Sequence, residues 1–131
     1  MKLLLDTHIW IWLISDPKRL SRRVVKELEN PLNELWLSPV SIWEVQLLRR
    51  KKRIRVAEGL TTWLNRAVSA APFKEAPLTW DVARVLDEIE MPHGDPADGF
   101  LVASAKVFGL TLVTADEKLM KVRGIETLRN T

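Results

Sequence analysis

The chain has 131 residues, 47% of them hydrophobic, which suits one compact domain over 1–131 and leaves no room for a second. It contains no cysteine, so disulfides, thiolate nucleophiles and sulfur-ligated zinc are excluded. Because only two histidines are present, a catalytic metal would be held mainly by carboxylates, which favour Mg²⁺ or Mn²⁺. The net charge of +3 is compatible with a polyanionic partner.

Apolar runs and turn residues in the first third of the chain predict two strands and three helices. The predicted strands cover Lys2 to Leu5 and Leu35 to Leu37, one helix continues to about Ile14, a second covers Ser21 to Glu29, and a third starts at Pro39. Ser38 before Pro39 is typical of an N-cap followed by proline at the first helical position. Asp6 and His8 interrupt the apolar start, so neither a signal peptide nor a membrane span is expected.

The rest of the chain predicts further helices and short strands. Helices are expected over 57–70, 79–88 and 96–108, extended segments over 73–76 and 111–113, a loop over 91–96, and a turn at 124–128 leading into a final strand. Alternating strands and helices predict a three-layer α/β/α fold around a mainly parallel sheet of about four or five short strands. Such folds bind ligands beyond the carboxyl ends of their strands.

Four acidic residues fall where the site of such a fold would lie. Asp6 directly follows the first strand, and Asp116 follows a later strand by two residues, so both are predicted at the carboxyl edge. Asp98 lies in the first turn of a helix that begins beside this edge. Glu44 lies within a predicted apolar stripe of Val40, Trp43, Leu47 and Leu48. A carboxylate buried there needs a cation, a metal or a water-filled cleft.

Each of these acids also has a purely structural interpretation. Asp6 could cap the first helix, although Thr7 could do so equally well, and Asp116 could cap a short helix over 117–121. Asp95 directly precedes Pro96 and could be the N-cap of the helix that starts there. Asp98, three residues later, would then be the acidic N3 residue of a capping box. For Glu44 the alternative is an ion pair with a nearby arginine.

Carboxylates that converge at one edge repel one another unless a divalent cation neutralises them or some carry protons. A bound Mg²⁺ resolves this conflict, lowers the pKa of bound water and orients a phosphodiester. The predicted reaction is metal-assisted phosphodiester hydrolysis. Its predicted catalytic and metal-binding residues are Asp6, Glu44, Asp98 and Asp116.

Four segments, taken together, carry a family resemblance. They are LLLDTH, SPVSIWEV, HGDPADGFLVASA and LVTADEKL, in this order over nearly the whole chain. The set resembles the PIN-domain family, and most closely its VapC-type toxins. The resemblance implies a cytoplasmic endoribonuclease in which acids bind Mg²⁺ or Mn²⁺ and water attacks the RNA backbone. It also implies a toxin–antitoxin pair, with homodimerisation and a cognate antitoxin that blocks the acidic cleft.

The same resemblance assigns supporting positions. Asp6, Glu44 and Asp98 match the family's conserved acids, and Asp116 matches its more variable fourth acid. Thr7, Ser41 and Thr114 match small hydroxyl positions that could hold carboxylates or metal-bound water in place, and Asp95 is a further candidate for this role. The related branch usually carries arginine where this chain has Gly99, and often lysine where it has Leu48. These departures concern substrate positioning more than metal binding.

A basic run, RRKKRIR, follows the helix that carries Glu44. Its candidate RNA-binding cations are Arg49, Arg50, Lys51, Lys52, Arg53 and Arg55. The alternative is a solvated helix end whose cations complement the helix dipole. Six tryptophans are also present. Trp10 and Trp12 lie two apart and cannot share one narrow helix face, whereas Trp36, Trp43, Trp63 and Trp80 are interpreted mostly as core or interface residues.

Two other functions compete with the nuclease. An aspartyl-phosphate enzyme would place a second aspartate two residues after Asp6, where His8 stands, and would not explain a glutamate in an apolar stripe. A PIN-like module that binds RNA or antitoxin without turnover is the second alternative, and Gly99 favours it modestly. Loss of activity in Asp6→Asn with the fold retained would separate the nuclease from this module.

Overall fold

A computed structural model describes residues 1–90 and 95–131, and within these ranges five strands alternate with seven α-helices. The strands are β1 (Lys2–Leu5), β2 (Glu34–Leu37), β3 (Lys74–Glu75), β4 (Thr111–Thr114) and β5 (Glu126–Arg129). The helices are α1 (Thr7–Ser15), α2 (Arg22–Glu29), α3 (Pro39–Arg50), α4 (Leu60–Ser69), α5 (Trp80–Val85), α6 (Pro96–Phe108) and α7 (Glu117–Met120). Short 3-10 helices cover Pro17–Arg19 and Leu86–Glu88. Most of the predicted loop over 91–96 lies outside the described residues.

The five strands form one parallel sheet in the order β3-β2-β1-β4-β5, which confirms the predicted α/β fold. In the centre, Leu4 of β1 pairs with Trp36 of β2 on one side and with Leu112 of β4 on the other. The strand order therefore reverses at β1. In doubly wound sheets such a reversal opens a crevice at the carboxyl ends of the two diverging strands.

Helices cover both faces of this sheet. Leu3 and Leu5 pack on one face against Ile9 and Trp10 of α1, while Leu4 packs on the other against helix α6. All three leucines of β1 are fully buried, as expected for a central strand of a parallel sheet. This packing fixes the position and direction of α1, whose first turn stands at the crevice.

Capping residues set the starts of α3 and α6, two of the helices that reach this edge. Ser38 Oγ accepts the Val40 N–H at 3.1 Å, with Pro39 at the first helical position, as predicted. Asp95 Oδ1 likewise accepts the Ala97 N–H at 3.0 Å at the start of α6. The predicted bounds of α6 are confirmed, and the helix ends at Gly109, whose φ of 65° is left-handed.

The structure also corrects several predictions. Helix α4 begins at Leu60 rather than at residue 57, because Gly59 is its N-cap and glycine is a poor helix former. Trp63 is buried in the core, as predicted, but Trp43 and Trp80 are 49% and 82% exposed, so a core position is wrong for these two and an interface position stays a prediction. Trp80 opens helix α5, whose buried face is carried by Val82. In the described ranges, no helix is long and apolar enough to cross a membrane.

Candidate active site

A cleft of about 340 Å³ opens at the carboxyl edge of the sheet. It is lined by Asp6, His8, Trp12, Glu44, Asp95, Asp98, Ala115 and Asp116. The four acids that the sequence singled out therefore line one cleft, although they come from four separate segments. The parallel topology explains the convergence, since it directs the ends of β1 and β4 and the first turns of α1, α3, α6 and α7 to one edge.

Asp6 is both a helix cap and a wall of the cleft. Its Oδ1 accepts the Thr7 N–H at 2.7 Å, and its Oδ2 accepts the Thr114 hydroxyl at 2.8 Å. Asp6, and not Thr7, is thus the N-cap of α1. Only 6% of the residue is exposed. Because a carboxylate oxygen has two lone pairs, capping leaves each oxygen able to accept a further partner from the cleft.

A pair of buried hydroxyls supports Glu44. The Thr7 hydroxyl lies 2.5 Å from Glu44 Oε1 and 2.9 Å from the Ser41 hydroxyl. In the described part of the chain, the ion pairs lie elsewhere, so the arginine partner considered from sequence is not found. The predicted apolar stripe is also corrected, because Val40, Ser41 and Val45 form the buried face of α3 and Trp43 is exposed. Glu44 lies at the border of that face.

The remaining acids differ in how they are held. Asp116 Oδ1 accepts the Lys118 N–H at 2.8 Å, so it caps α7, and its own N–H donates to the Thr114 hydroxyl oxygen at 3.0 Å. Thr114 therefore links Asp6 and Asp116. Asp98 stands in the first turn of α6. Among residues 1–90 and 95–131, no side-chain hydrogen bond to its carboxylate is found, whereas Asp95 in the same turn caps the helix.

The cleft raises the pKa of its acids. Burial raises the pKa of Asp6 to about 6, against the lowering effect of the Thr114 hydrogen bond. Burial, followed by the negative charges of Asp95, Asp6 and Asp116, raises the pKa of Asp98 to about 7. Burial also raises the pKa of Glu44. Burial is the largest cause of all three shifts, and repulsion between the acids adds to it, because the described residues of the lining include carboxylates but no lysine or arginine.

A divalent cation fits this donor set, because the donors are hard carboxylate oxygens and the cleft lacks positive charge. In the part of the chain that the structure describes, no three acids or histidines are already clustered closely enough to hold an ion. A bound ion would therefore have to draw the carboxylates inward. Asp6, Asp98 and Asp116 would be its candidate ligands, together with Glu44.

Sequence reasoning missed one wall of the cleft. His8 is exposed at the rim, and its ring centroid lies 5.8 Å from that of Trp12. The Arg19 guanidinium carbon lies 4.5 Å from the centroid of a Trp12 ring. The spacing of four between positions 8 and 12 was the available signal, because it places both residues on one face of α1. Trp10, on a different face of α1, is fully buried.

A second groove, of about 280 Å³, adjoins the cleft and shares Glu44 and Asp95 with it. Trp43, Lys51 and Arg53 also line this groove. Two of the six predicted RNA-binding cations thus stand beside the acids. The other four, Arg49, Arg50, Lys52 and Arg55, are exposed and do not line either cavity.

Comparisons with known proteins agree with this geometry. Residues 3–125 match the family model of the PIN domain. The chain is 32% identical to Ribonuclease VapC22 of Mycobacterium tuberculosis over 123 residues, which cover 92% of this chain and 91% of the relative. The fold resembles that of VapBC2 from Rickettsia felis bound to a promoter DNA fragment, with a TM-score of 0.75, 16% identity and 98% of both chains covered.

A second solved structure extends this likeness. It is VapBC-5 from Mycobacterium tuberculosis, described as a member of the VapBC family of toxin–antitoxin systems, with a TM-score of 0.65 and 16% identity. The match covers 98% of each chain. At these identities the solved structures support the fold, and the family assignment rests on the sequence matches.

Proposed function

The chain belongs to the PIN-domain family, and from this premise we propose that it is a VapC-type endoribonuclease that hydrolyses RNA phosphodiester bonds with Mg²⁺ or Mn²⁺ bound in the acidic cleft. The single observation that carries the proposal is the convergence of four acids from distant segments, without a balancing cation in the cleft lining. A fold that accumulates negative charge in this way is suited to binding a divalent cation.

The chemistry divides between the ion and the protein. When bound, a divalent cation supplies a polarised water nucleophile and neutralises charge on the phosphate. In the net reaction, a water oxygen bonds to phosphorus, one phosphorus–oxygen ester bond breaks, and the departing RNA oxygen gains a proton. Thr114 holds Asp6 in position, and Thr7 holds Glu44.

The proposal extends to partners and setting. The likeness to VapBC complexes supports a cognate antitoxin as a partner. The proposal adds that this antitoxin covers the acidic cleft, and that the chain is a cytoplasmic homodimer with a single PIN domain over 1–131. We expect the antitoxin to place a basic group in the cleft, because five acidic residues of the lining, the four candidate site acids and Asp95, would otherwise keep their negative charge unbalanced.

The test is cleavage of a mixed RNA pool by the purified protein with Mg²⁺ or Mn²⁺, in parallel with EDTA. Asp98→Asn is the site variant, and Asp87→Asn, an exposed aspartate outside the cleft, is the matched control. We expect metal-dependent cleavage that survives in Asp87→Asn and is lost in Asp98→Asn, with melting curves showing that both fold. Intact RNA in every lane, with the metal bound, would favour the non-catalytic binding module.

A further inference from the structure

A guanidinium lies beside the cleft, stacked on a tryptophan of its lining, although Arg19 itself does not line the cleft. Arg19 lies over Trp12, whose ring lines the cleft, and belongs to the 3-10 helix Pro17–Arg19. The Arg19 backbone is held at both ends, because its N–H donates to the Asp16 carbonyl at 3.1 Å and its carbonyl accepts the Asn130 side-chain amide at 2.9 Å. Among the described residues, no acid pairs with its guanidinium.

This arrangement suits a phosphate or a base. A guanidinium stacked on an indole keeps its N–H donors in one plane, where they can bind phosphate oxygens, and its stacking limits the side-chain entropy lost on binding. Guanidinium planes and aromatic rings also stack on unpaired RNA bases. Because none of the ion pairs found among the described residues involves Arg19, we expect its charge to be available to an incoming anion.

A second set of cations beside a tryptophan lies in the groove that adjoins the cleft. In the second groove, Lys51 and Arg53 accompany Trp43, which is 49% exposed. Glu44 and Asp95 line both cavities, so the groove and the cleft are continuous past the acids. Trp12 lines only the cleft and Trp43 only the groove, so cations and aromatic rings occur at both of the cavities that meet at Glu44 and Asp95. Grooves that track single-stranded nucleic acid combine these two features, positive charge for the backbone and rings for the bases.

We infer that a single RNA strand crosses the acidic cleft between two cation–tryptophan units, Arg19 on Trp12 at one end and Lys51 with Arg53 beside Trp43 at the other. The inference rests on the proposed function and assigns the side chains that guide the strand past the acids. The bases on either side of the cleaved bond leave their stack to contact these units, which a duplex does not allow without opening.

The experiment measures binding of a labelled single-stranded RNA of about 12 nucleotides, a length within the range of such grooves, by fluorescence anisotropy at several salt concentrations. An Asp98→Asn background keeps the strand intact in Mg²⁺. Arg19→Gln is compared with Lys18→Gln, because Lys18 is the exposed neighbouring cation in the same 3-10 helix and does not line the cleft. Trp43→Leu tests the other end, and a duplex of the same sequence tests strandedness.

We expect Arg19→Gln to weaken binding about threefold to tenfold at low salt and to reduce the slope of log affinity against log salt by about 0.7, the value for one phosphate contact on a single strand. Arg19→Lys should restore the slope but not the full affinity, because the ammonium cannot stack as a plane. Trp43→Leu should weaken binding about fivefold or more with the slope unchanged. The duplex should bind more weakly than the single strand.

Equal affinities and slopes in Arg19→Gln and Lys18→Gln, with folding of both verified by circular dichroism, would overturn the inference and leave the stacked arginine to a protein partner. Equal binding of the duplex and the single strand would also overturn it. If the wild-type protein cleaves no RNA, the proposed function fails, but the same binding comparison can then be made on the wild-type chain and still decides whether the strand follows this route.

Discussion

Two charged clusters of this molecule differ in how the fold produces them. The basic run over 49–55 is contiguous in the sequence and its cations are exposed, so its charges remain in water at little cost. The acidic cleft gathers carboxylates from distant segments and buries them enough to raise the pKa of Asp6, Glu44 and Asp98. A cluster that the fold assembles against its own electrostatic cost is the stronger indication of function.

The largest effect is expected from Asp6→Asn, which separates the two roles of this residue. Asparagine caps helices as well as aspartate does, so α1 should remain intact. The charge is lost, however, and we expect RNA cleavage to fall at least about 100-fold, since losses of about 10–100-fold are typical even for groups that only orient metal ligands. Cleavage rates and melting temperatures measure the two effects, and full activity in this variant would reduce Asp6 to a cap.

Thr114→Val tests whether the cleft depends on its buried support. Valine has nearly the same shape as threonine but removes the hydroxyl that donates to Asp6 and accepts from the Asp116 N–H. We expect Mn²⁺ affinity and cleavage to fall about tenfold or more. The matched control is Thr111→Val, at the other end of the same strand. Equal effects of the two substitutions would show that the loss comes from the strand and not from the hydrogen bonds.

The raised pKa values predict how the stability of the metal-free protein depends on pH. Between about pH 4 and pH 7 the folded protein holds protons on Asp6 and Asp98 that the unfolded chain has released. Its free energy of unfolding should therefore fall as the pH rises through this window. Asp98→Asn should reduce the fall by roughly 1–3 kcal/mol. Urea unfolding in EDTA measures this, with Asp87→Asn as the control, and an unchanged pH profile in Asp98→Asn would contradict it.

The smallest effect on RNA binding is expected from substitutions in the basic run over 49–55. There the position of a removed cation should matter more than how many cations are removed. Lys51 and Arg53 line the groove beside the acids, whereas Arg49 and Arg50 do not. Replacing Lys51 and Arg53 by glutamine should weaken RNA binding about twofold to fivefold more than replacing Arg49 and Arg50, since exposed charges contribute little singly. Equal losses from the two double variants, measured by anisotropy, would favour a diffuse electrostatic role for the whole run.

Most of the fold could be predicted because its signals are local. The apolar run before Asp6, the Ser38 and Pro39 pair and the proline at position 96 each mark an element boundary, and the structure confirms them. The start of α4 was missed because its boundary depends on Gly59, which lies within an otherwise helical pattern. The family assignment came from the order of four motifs along the chain. The match to the family model and to a relative confirms it.

The convergence of the four acids could be predicted from the sequence, but the residues around them could not. Strand ends indicate where Asp6 and Asp116 lie, yet only packing decides which face of α3 is buried, and the stripe through Trp43 was therefore wrong. The stack of Arg19 on Trp12 joins two secondary-structure elements, and no periodicity within either one predicts it. The sequence also did not indicate that Asp6 can cap a helix and line the cleft at once, because this depends on the separate hydrogen-bond partners of its two oxygens.

The most direct test of the account is calorimetric titration of Mn²⁺ into the wild-type protein and Asp98→Asn, each at about pH 8 and about pH 5.5, with Asp87→Asn as the control. Protons compete with the ion for Asp98 and Asp6. We expect wild type and Asp87→Asn to bind Mn²⁺ much more tightly at the higher pH, and Asp98→Asn to bind weakly at both. Equal Mn²⁺ affinity in wild type and Asp98→Asn would contradict the assignment of the acidic cleft as the metal site.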